Sequence, residues 1–296
     1  MTVNIGVDLG GTNLRVAEVD NTGEILQMLS EPTEVEKGYS YTLNKMINMI
    51  NMIKGGRPLS GIGIGAPGPL DSQKGVILSP PNLPGWDDVR IVRFIQEHFQ
   101  VNTFLTNDAN AAALAEARAG SGEGYESVFY LTVSTGIGGG FVFKEKIFEG
   151  AQGYAGEVGN MIINPAGYRH SSLNRGAWEG HASGTAIGRV GKERLQVHDA
   201  SEVFRLADAE NQEALSIIEE TVSSLAIGIA NITHIINPEI FVIGGGVMKS
   251  EKMILEPLKE KIKEFVYPGL REKINIRPAA LGGLAGVIGA SFLVNE

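Results

Sequence analysis

Short β-branched runs alternate along the chain with longer segments whose apolar residues recur every three or four positions, the pattern of an α/β protein. Val3 to Asp8, Leu14 to Val19 and Ile25 to Leu29 read as three strands joined by tight turns at Gly10-Gly11 and Asn21-Thr22-Gly23. Tyr41 to Ile53 places Leu43, Met46, Ile47, Ile50 and Ile53 at helical spacing. Strand Gly61 to Gly65, a helix near Asp88 to His98, strand Thr103 to Leu105 and a helix from Asn110 to Arg118 complete a first set. A second set opens with strand Val128 to Val133, a glycine turn over Thr135 to Gly140, and returning strands at Phe141 to Phe143 and Ile147 to Glu149. Helices Gly184 to Arg194, Ser201 to Asp208 and Glu213 to Ile236 follow, then strand Ile240 to Ile243, helix Glu251 to Phe265, strand Ile274 to Pro278 and helix Leu284 to Leu293. The same hairpin-first grammar thus occurs twice. No low-complexity linker divides the halves, so they are expected to face each other across a cleft.

The chain has 296 residues, with 25 Lys plus Arg against 34 Asp plus Glu, a formal charge of −9. That sign is wrong for a protein held to phosphate backbones, so no nucleic-acid partner is expected. The 43% hydrophobic and 20% charged composition is that of a globular protein. There is no cysteine, which excludes disulfides, thiolate metal sites and a Cys nucleophile. Residues 1 to 9 read as a strand rather than a signal peptide. The most apolar stretch, Leu225 to Met248, is interrupted by Asn231, His234, Asn237, Pro238 and Glu239, too polar to cross a bilayer. No membrane partner and a cytoplasmic location are expected.

Three of the glycine clusters end strands: Gly10-Gly11, Gly136 with Gly138-Gly139-Gly140, and Gly244-Gly245-Gly246. Turns without side chains let backbone N–H groups approach an anion closely, and three of them suggest a polyphosphate site; any one of them serves equally as a plain hairpin turn. Asp8-Leu9-Gly10-Gly11-Thr12-Asn13 adds a carboxylate and a hydroxyl within one turn, the chemistry of Mg²⁺ and phosphate together, with Asp8 holding the metal through water. Alternatively Asp8 caps local N–H groups. No GxxxxGK[ST] occurs. Gly63 to Gly68 fits GxGxxG, but Pro67, Pro69 and Asp71 prescribe a loop where a dinucleotide fold needs a helix.

The residues DLGGTN at 8 to 13, GIGAPGPLD at 63 to 71, PNLPGW at 81 to 86, TNDANAAALAEA at 106 to 117, TVSTGIGGG at 132 to 140, GEVG at 156 to 159, WEGHASGTAI at 178 to 187 and NPEIFVIGGGV at 237 to 247 occur in this order over essentially the whole chain. Together they resemble the ROK sugar kinases of the actin-like ATPase superfamily, bacterial glucokinases above all. The resemblance implies two ribonuclease-H-like lobes closing on ATP and a hexose, with bounds 1 to 112 plus 282 to 296 for the first lobe and 113 to 281 for the second. It places Asp8, Gly10, Gly11, Thr12 and Asn13, and Thr135, Gly136, Gly138 and Gly139, at the phosphates, with Gly245 and Gly246 near adenosine. It makes Asp108 the base that accepts the proton of the sugar hydroxyl; read alone, Asp108 is equally an N-cap for the following helix. Asn107, Glu157 and Glu179 would hydrogen-bond the sugar, with Gly68 and Asn82 at the wall of its site. A homodimer or homotetramer is implied as well.

The chain departs from the family at its structural zinc. Counting from Glu157, the family His falls at Asn160; counting back from Glu179, the Cys positions are His170, Ser172 and Ala177. No zinc of that type is expected. Asn160 then stands where the family His meets the sugar, which weakens the transfer of glucose as substrate and leaves mannose, N-acetylmannosamine, fructose, allose or a β-glucoside open. The region Ile163 to Asn174 must hold itself by packing and hydrogen bonds, and is expected to be mobile without sugar. Three other functions compete: a sugar-binding repressor, which needs a winged helix before Asp8; an actin-like filament protein, which needs no sugar pocket; and a sugar-binding module without catalysis, against which Asp8, Thr12, Asp108 and Gly138-Gly139 argue.

Overall fold

The computed structural model describes residues 3–295; Met1, Thr2 and Glu296, which the expected lobe bounds include, lie outside the described residues. The chain forms two compact units, the first made of Met1–Gly124, Gly140–Ala155 and Leu281–Glu296, the second of Tyr125–Gly139 and Gly156–Ala280.

In the first unit, β1 (Val3–Leu9), β2 (Asn13–Val19) and β3 (Ile25–Pro32) form an antiparallel meander. The chain continues through α1 (Tyr39–Lys54), β4 (Leu59–Ala66), the small hairpin β5 (Leu70–Asp71) and β6 (Val76–Ile77), α2 (Ile91–Phe99), β7 (Thr103–Asn107) and α3 (Asp108–Ala119). Strands β4 and β7 add in parallel, giving the order β3-β2-β1-β4-β7. Alternation along β1 decides what covers each face. Val3, Ile5, Val7 and Leu9 join Leu43, Met46 and Ile50 of α1 in one core. Gly6, pointing the other way, lies against the backbone of the C-terminal helix, α9 (Ala285–Phe292). With both faces covered, β1 and β4 are apolar almost throughout, as parallel strands usually are.

The second set follows the same plan: β8 (Ser127–Val133), β9 (Ile137–Phe143), β10 (Lys146–Ile147), α4 (Glu179–Ala182), α5 (Gly184–Leu195), α6 (Ala200–Asp208), α7 (Gln212–Ile235), β11 (Ile240–Gly244), α8 (Glu251–Lys261) and β12 (Ile276–Pro278). Its sheet order, β10-β9-β8-β11-β12, repeats that of the first. Strands β8, β11 and β12 run parallel. Phe129 and Phe241 meet at 5.9 Å between ring centroids. By length and composition α7 would pass for a membrane span, but 56% of its apolar window is buried. It packs on α5, α6 and α8, and Gly228 lets the indole of Trp178 lie against its backbone.

Several expected bounds move, three of them near the site residues. The helix expected from Asn110 begins at Asp108, and the glycine turn expected to run to Gly140 ends at Gly136, so that Gly138, Gly139 and Gly140 lie within β9. The first unit keeps the whole of α3, beyond the expected break after residue 112, because α3 packs along α9. The fully buried carboxylate of Glu116 fixes that arrangement, accepting hydrogen bonds from the backbone N–H of Ser121 at 2.9 Å and of Leu281 at 2.8 Å.

Candidate active site

In the first unit the site residues gather at the C-terminal ends of β1, β4 and β7, where a parallel arrangement exposes loops and helix N-termini. The turn between β1 and β2 is closed by Gly10 N–H donating to Asn13 C=O at 2.9 Å and is pinned by the Thr33 hydroxyl on Gly10 C=O at 2.6 Å. Thr12 and Asn13 are exposed. Gly11 lies so close to the 80–86 loop that a methyl group on it would stand 2.5 Å from the Asn82 carbonyl oxygen. Thus the first glycine turn and Asn82, far apart in sequence, are neighbours. Buried Trp86 anchors that loop, its backbone N–H donating to Leu83 C=O at 3.2 Å. Gly68 precedes a cis proline in the loop after β4.

Asp8 sits opposite Arg15 in the β1–β2 register, and its Oδ2 accepts from the guanidinium at 2.9 Å. Burial pushes the Asp8 carboxyl above its ordinary value, with Arg15 pulling the other way. The local-capping alternative for Asp8 finds no support among its hydrogen bonds, which run to a side chain across the hairpin. Asn107, by contrast, is the N-cap of α3, its Oδ1 accepting from Ala109 N–H at 2.9 Å. That leaves Asp108 as the first helical residue, exposed, with its Oδ1 2.8 Å from the same N–H.

The second unit gathers the other half of the candidates. Glu179, at the start of α4, accepts the Ile137 N–H at 2.9 Å on Oε2, and Gly136 and Gly159 both lie against its carboxylate. His170 Nε2 is 3.8 Å from Oε1. The Glu157 carboxyl is pushed up by burial and by the Glu179 charge. Gly139, expected at a phosphate, packs closely against Gly156, Phe129 and Val158. Asn160 Oδ1 accepts the Asn174 N–H at 2.7 Å. The residue in place of the family His therefore fastens the loop by hydrogen bonding.

A 660 Å³ cavity lies at the N-terminal end of α5, lined by Thr135, Thr185, Arg189, Phe204, Gly246 and Val247 among others. Gly245, at φ 94, makes the turn that brings Gly246 there; a methyl on it would crowd the Val133 backbone. Ser183 caps α5, and the Gly184 N–H donates to Ser134 C=O at 2.7 Å. Of the cavity lining, sequence reading supplied Thr135 and Gly246 but missed Arg189, Lys192 and Phe204. The available signal was Ser183-Gly184-Thr185, a helix start directly after the WEG element.

Two α/β units that each place glycine turns and acidic side chains at the C-terminal ends of parallel strands define the two-lobed actin-like ATPase class. Comparison with known proteins agrees. The chain matches the ROK family over residues 4–296. It is 34% identical to the glucokinase of Thermotoga maritima, over 99% of this chain and 97% of that one. Its structure is similar to that of the ROK hexokinase from Thermus thermophilus (TM-score 0.87, 34% identity, 98% and 97% covered). It is also similar to a ROK family glucokinase from Streptomyces griseus solved with glucose and AMPPNP (TM-score 0.81, 27% identity, 98% of both chains). The protein belongs to the ROK family.

Proposed function

We infer that this protein is an ATP-dependent sugar kinase that phosphorylates a hexose at its 6-hydroxyl, glucose first, in the cytoplasm and as a homodimer or homotetramer. The observation that carries the reading is the exposed Asp108 carboxylate at the N-terminus of α3, directly after the Asn107 cap. The likeness to a glucokinase along 99% of the chain supports it.

Glu157, Glu179, Asn160, Asn107, Asn82 and Gly68 hold the sugar, carboxylates and amides suiting hydroxyls that both donate and accept. The adenine and ribose enter the α5 cavity beside Gly245 and Gly246. Phosphates meet the Gly10 to Asn13 turn and the Thr135 to Gly139 segment, of which Thr135 and Gly136 remain in a turn and Gly138 and Gly139 present strand backbone. Asp108 takes the hydroxyl proton while the sugar oxygen bonds to the γ-phosphorus and the bond to the ADP oxygen breaks. Mg²⁺ would supply charge neutralisation at the phosphates; one shielded carboxylate, Asp8, with no cluster of three acidic or His ligands among the described residues, fits an ion carried by nucleotide and water. The deciding experiment is a panel of hexoses with ATP and Mg²⁺, followed by locating the new phosphate. Turnover with none of them would sink the reading.

A second reading concerns the epimer. Asn160 Oδ1 accepts the Asn174 N–H, so its amide meets the sugar with one lone pair already used and from a shorter side chain than the family His. One hydrogen bond is worth about 0.5–1.5 kcal/mol net, enough to reorder glucose and mannose in the panel.

Two variants probe the carboxylate pair. A methyl at Gly136 would overlap Glu179 Oε2, so Gly136→Ala is expected to raise the sugar KM about ten-fold, the worth of one charge-assisted hydrogen bond. Steady-state kinetics checks this, an unchanged sugar KM counting against Glu179. Glu157 has a raised pKa in the fold, so the folded state holds its proton more tightly than the unfolded chain does. Stability therefore falls as pH rises through the two values, and the penalty is complete at neutral pH. Glu157→Gln should melt higher than the wild type at neutral pH, lose that advantage below the carboxylate range, and bind sugar less well. Partial solvent access at this carboxyl keeps the gain small.

A further inference from the structure

The loop that the family clamps with metal is fastened here by other means. Ile163 N–H donates to Gly176 C=O at 2.9 Å, Gly176 N–H to Tyr168 C=O at 2.8 Å, and Trp178 N–H to Met161 C=O at 2.8 Å. These bonds tie the two ends of the loop together, and a side chain from α5 also meets the loop. The Arg189 guanidinium, from α5, lies 3.9 Å from the centroid of the Tyr168 ring. The same guanidinium donates to Gly180 C=O at 3.4 Å, next to Glu179, and to Glu193 at 3.0 Å. Its Nε is buried without an acceptor. Arg189 also lines the 660 Å³ cavity at the start of α5. One planar cation is thus shared by the cavity and by the loop that follows Asn160.

We propose that Arg189 is a positioning residue coupling the two: a nucleotide in the α5 cavity fixes the guanidinium plane, the plane fixes Tyr168, and the loop becomes ordered before sugar arrives. The inference rests on the kinase reading only in taking the cavity's occupant to be an adenine nucleotide. A flat, delocalised cation is needed, because Lys cannot present a face to a ring and a fork to a carbonyl at once. By linkage, the factor by which nucleotide tightens sugar equals that by which sugar tightens nucleotide.

Exposed Arg169 and Arg175 supply a reporter within the loop, since trypsin cleaves after both. With full-length protein and saturating AMPPNP·Mg, and no sugar, cleavage at these two positions, mapped by mass spectrometry, is expected to slow about five-fold or more. Arg189→Lys should bind AMPPNP within a few-fold of the wild type, yet lose the protection. Tyr168→Ala should lose it as well, and Tyr168→Phe, which keeps the ring, should retain it. Unchanged cleavage in nucleotide-saturated wild type, or full protection in Arg189→Lys or Tyr168→Ala, would overturn the proposal. The hexose panel fails or succeeds separately: a chain that phosphorylates sugar without loop protection defeats this inference alone, protection without turnover defeats the kinase reading alone, and failure to bind AMPPNP defeats both.

Discussion

Asp108→Asn is expected to lower kcat by about 10²- to 10⁴-fold while leaving the sugar KM within a few-fold and the melting temperature almost unchanged. In the proposed reaction the kinetic part follows from losing a proton acceptor that acts only as the sugar oxygen attacks, a loss of about 2.7–5.4 kcal/mol in the barrier. The structural part follows from the helix start. Because Asn107 caps α3, Asp108 contributes there mainly a favourable charge near a helix N-terminus, about 0.3–1 kcal/mol when exposed. Asn107→Ala gives the reverse pattern in stability, about 1 kcal/mol lost with the cap. Measuring kcat, KM and thermal stability for both variants separates the two duties of adjacent residues. Near-normal turnover in Asp108→Asn would remove it as the base and return it to the role of a helix-terminal acid.

The periodic parts of the chain were legible because burial on a fixed face imposes a period. The α1 stripe and the alternation of β1 are examples, and so is the doubled hairpin-first order, which reappears as two sheets of like topology. The boundaries that moved are those where local chemistry gives several equal answers. Asn107, Asp108 and Asn110 all suit a cap, and only the fold selects Asn107. Gly138, Gly139 and Gly140 have poor strand propensity, yet the packing of Gly139 on Phe129 and Gly140 on Ala113 places them in β9. Hydropathy says that α5 is amphipathic but not which of its polar residues meets a cavity, so Arg189 and Lys192 were hidden. His170 beside Glu179 was hidden for a different reason: it lies in an aperiodic loop whose path is set by hydrogen bonds between distant backbone groups.

Gly289→Ala is expected to cost several kcal/mol and to lower the melting temperature by ten degrees or more, on the order of 2–4 °C per kcal/mol for chains of this class. The added methyl would overlap the Ala111 carbonyl oxygen and stand 2.5 Å from its carbon, in the backbone of the helix that begins with Asp108. Backbone cannot turn aside as a flexible side chain does, so α9 must back away from α3 and give up contact along its length. The same logic applies where α9 crosses the sheet. A methyl at Gly6 would overlap the Val287 carbonyl oxygen, and one at Gly63 that of Ala290. Gly63 opens the GxGxxG-like run after β1 and α1, so the glycine that resembles a dinucleotide fingerprint serves helix-to-sheet packing. Gly269→Ala, where nothing lies within 4 Å of the new methyl, is the control and should melt near the wild type. The helix also carries a functional consequence. Any Gly289→Ala protein that survives should show reduced kcat, because the displaced partner of α9 is the helix that aims Asp108. Wild-type stability in Gly289→Ala would show that α9 and α3 are not packed backbone to backbone.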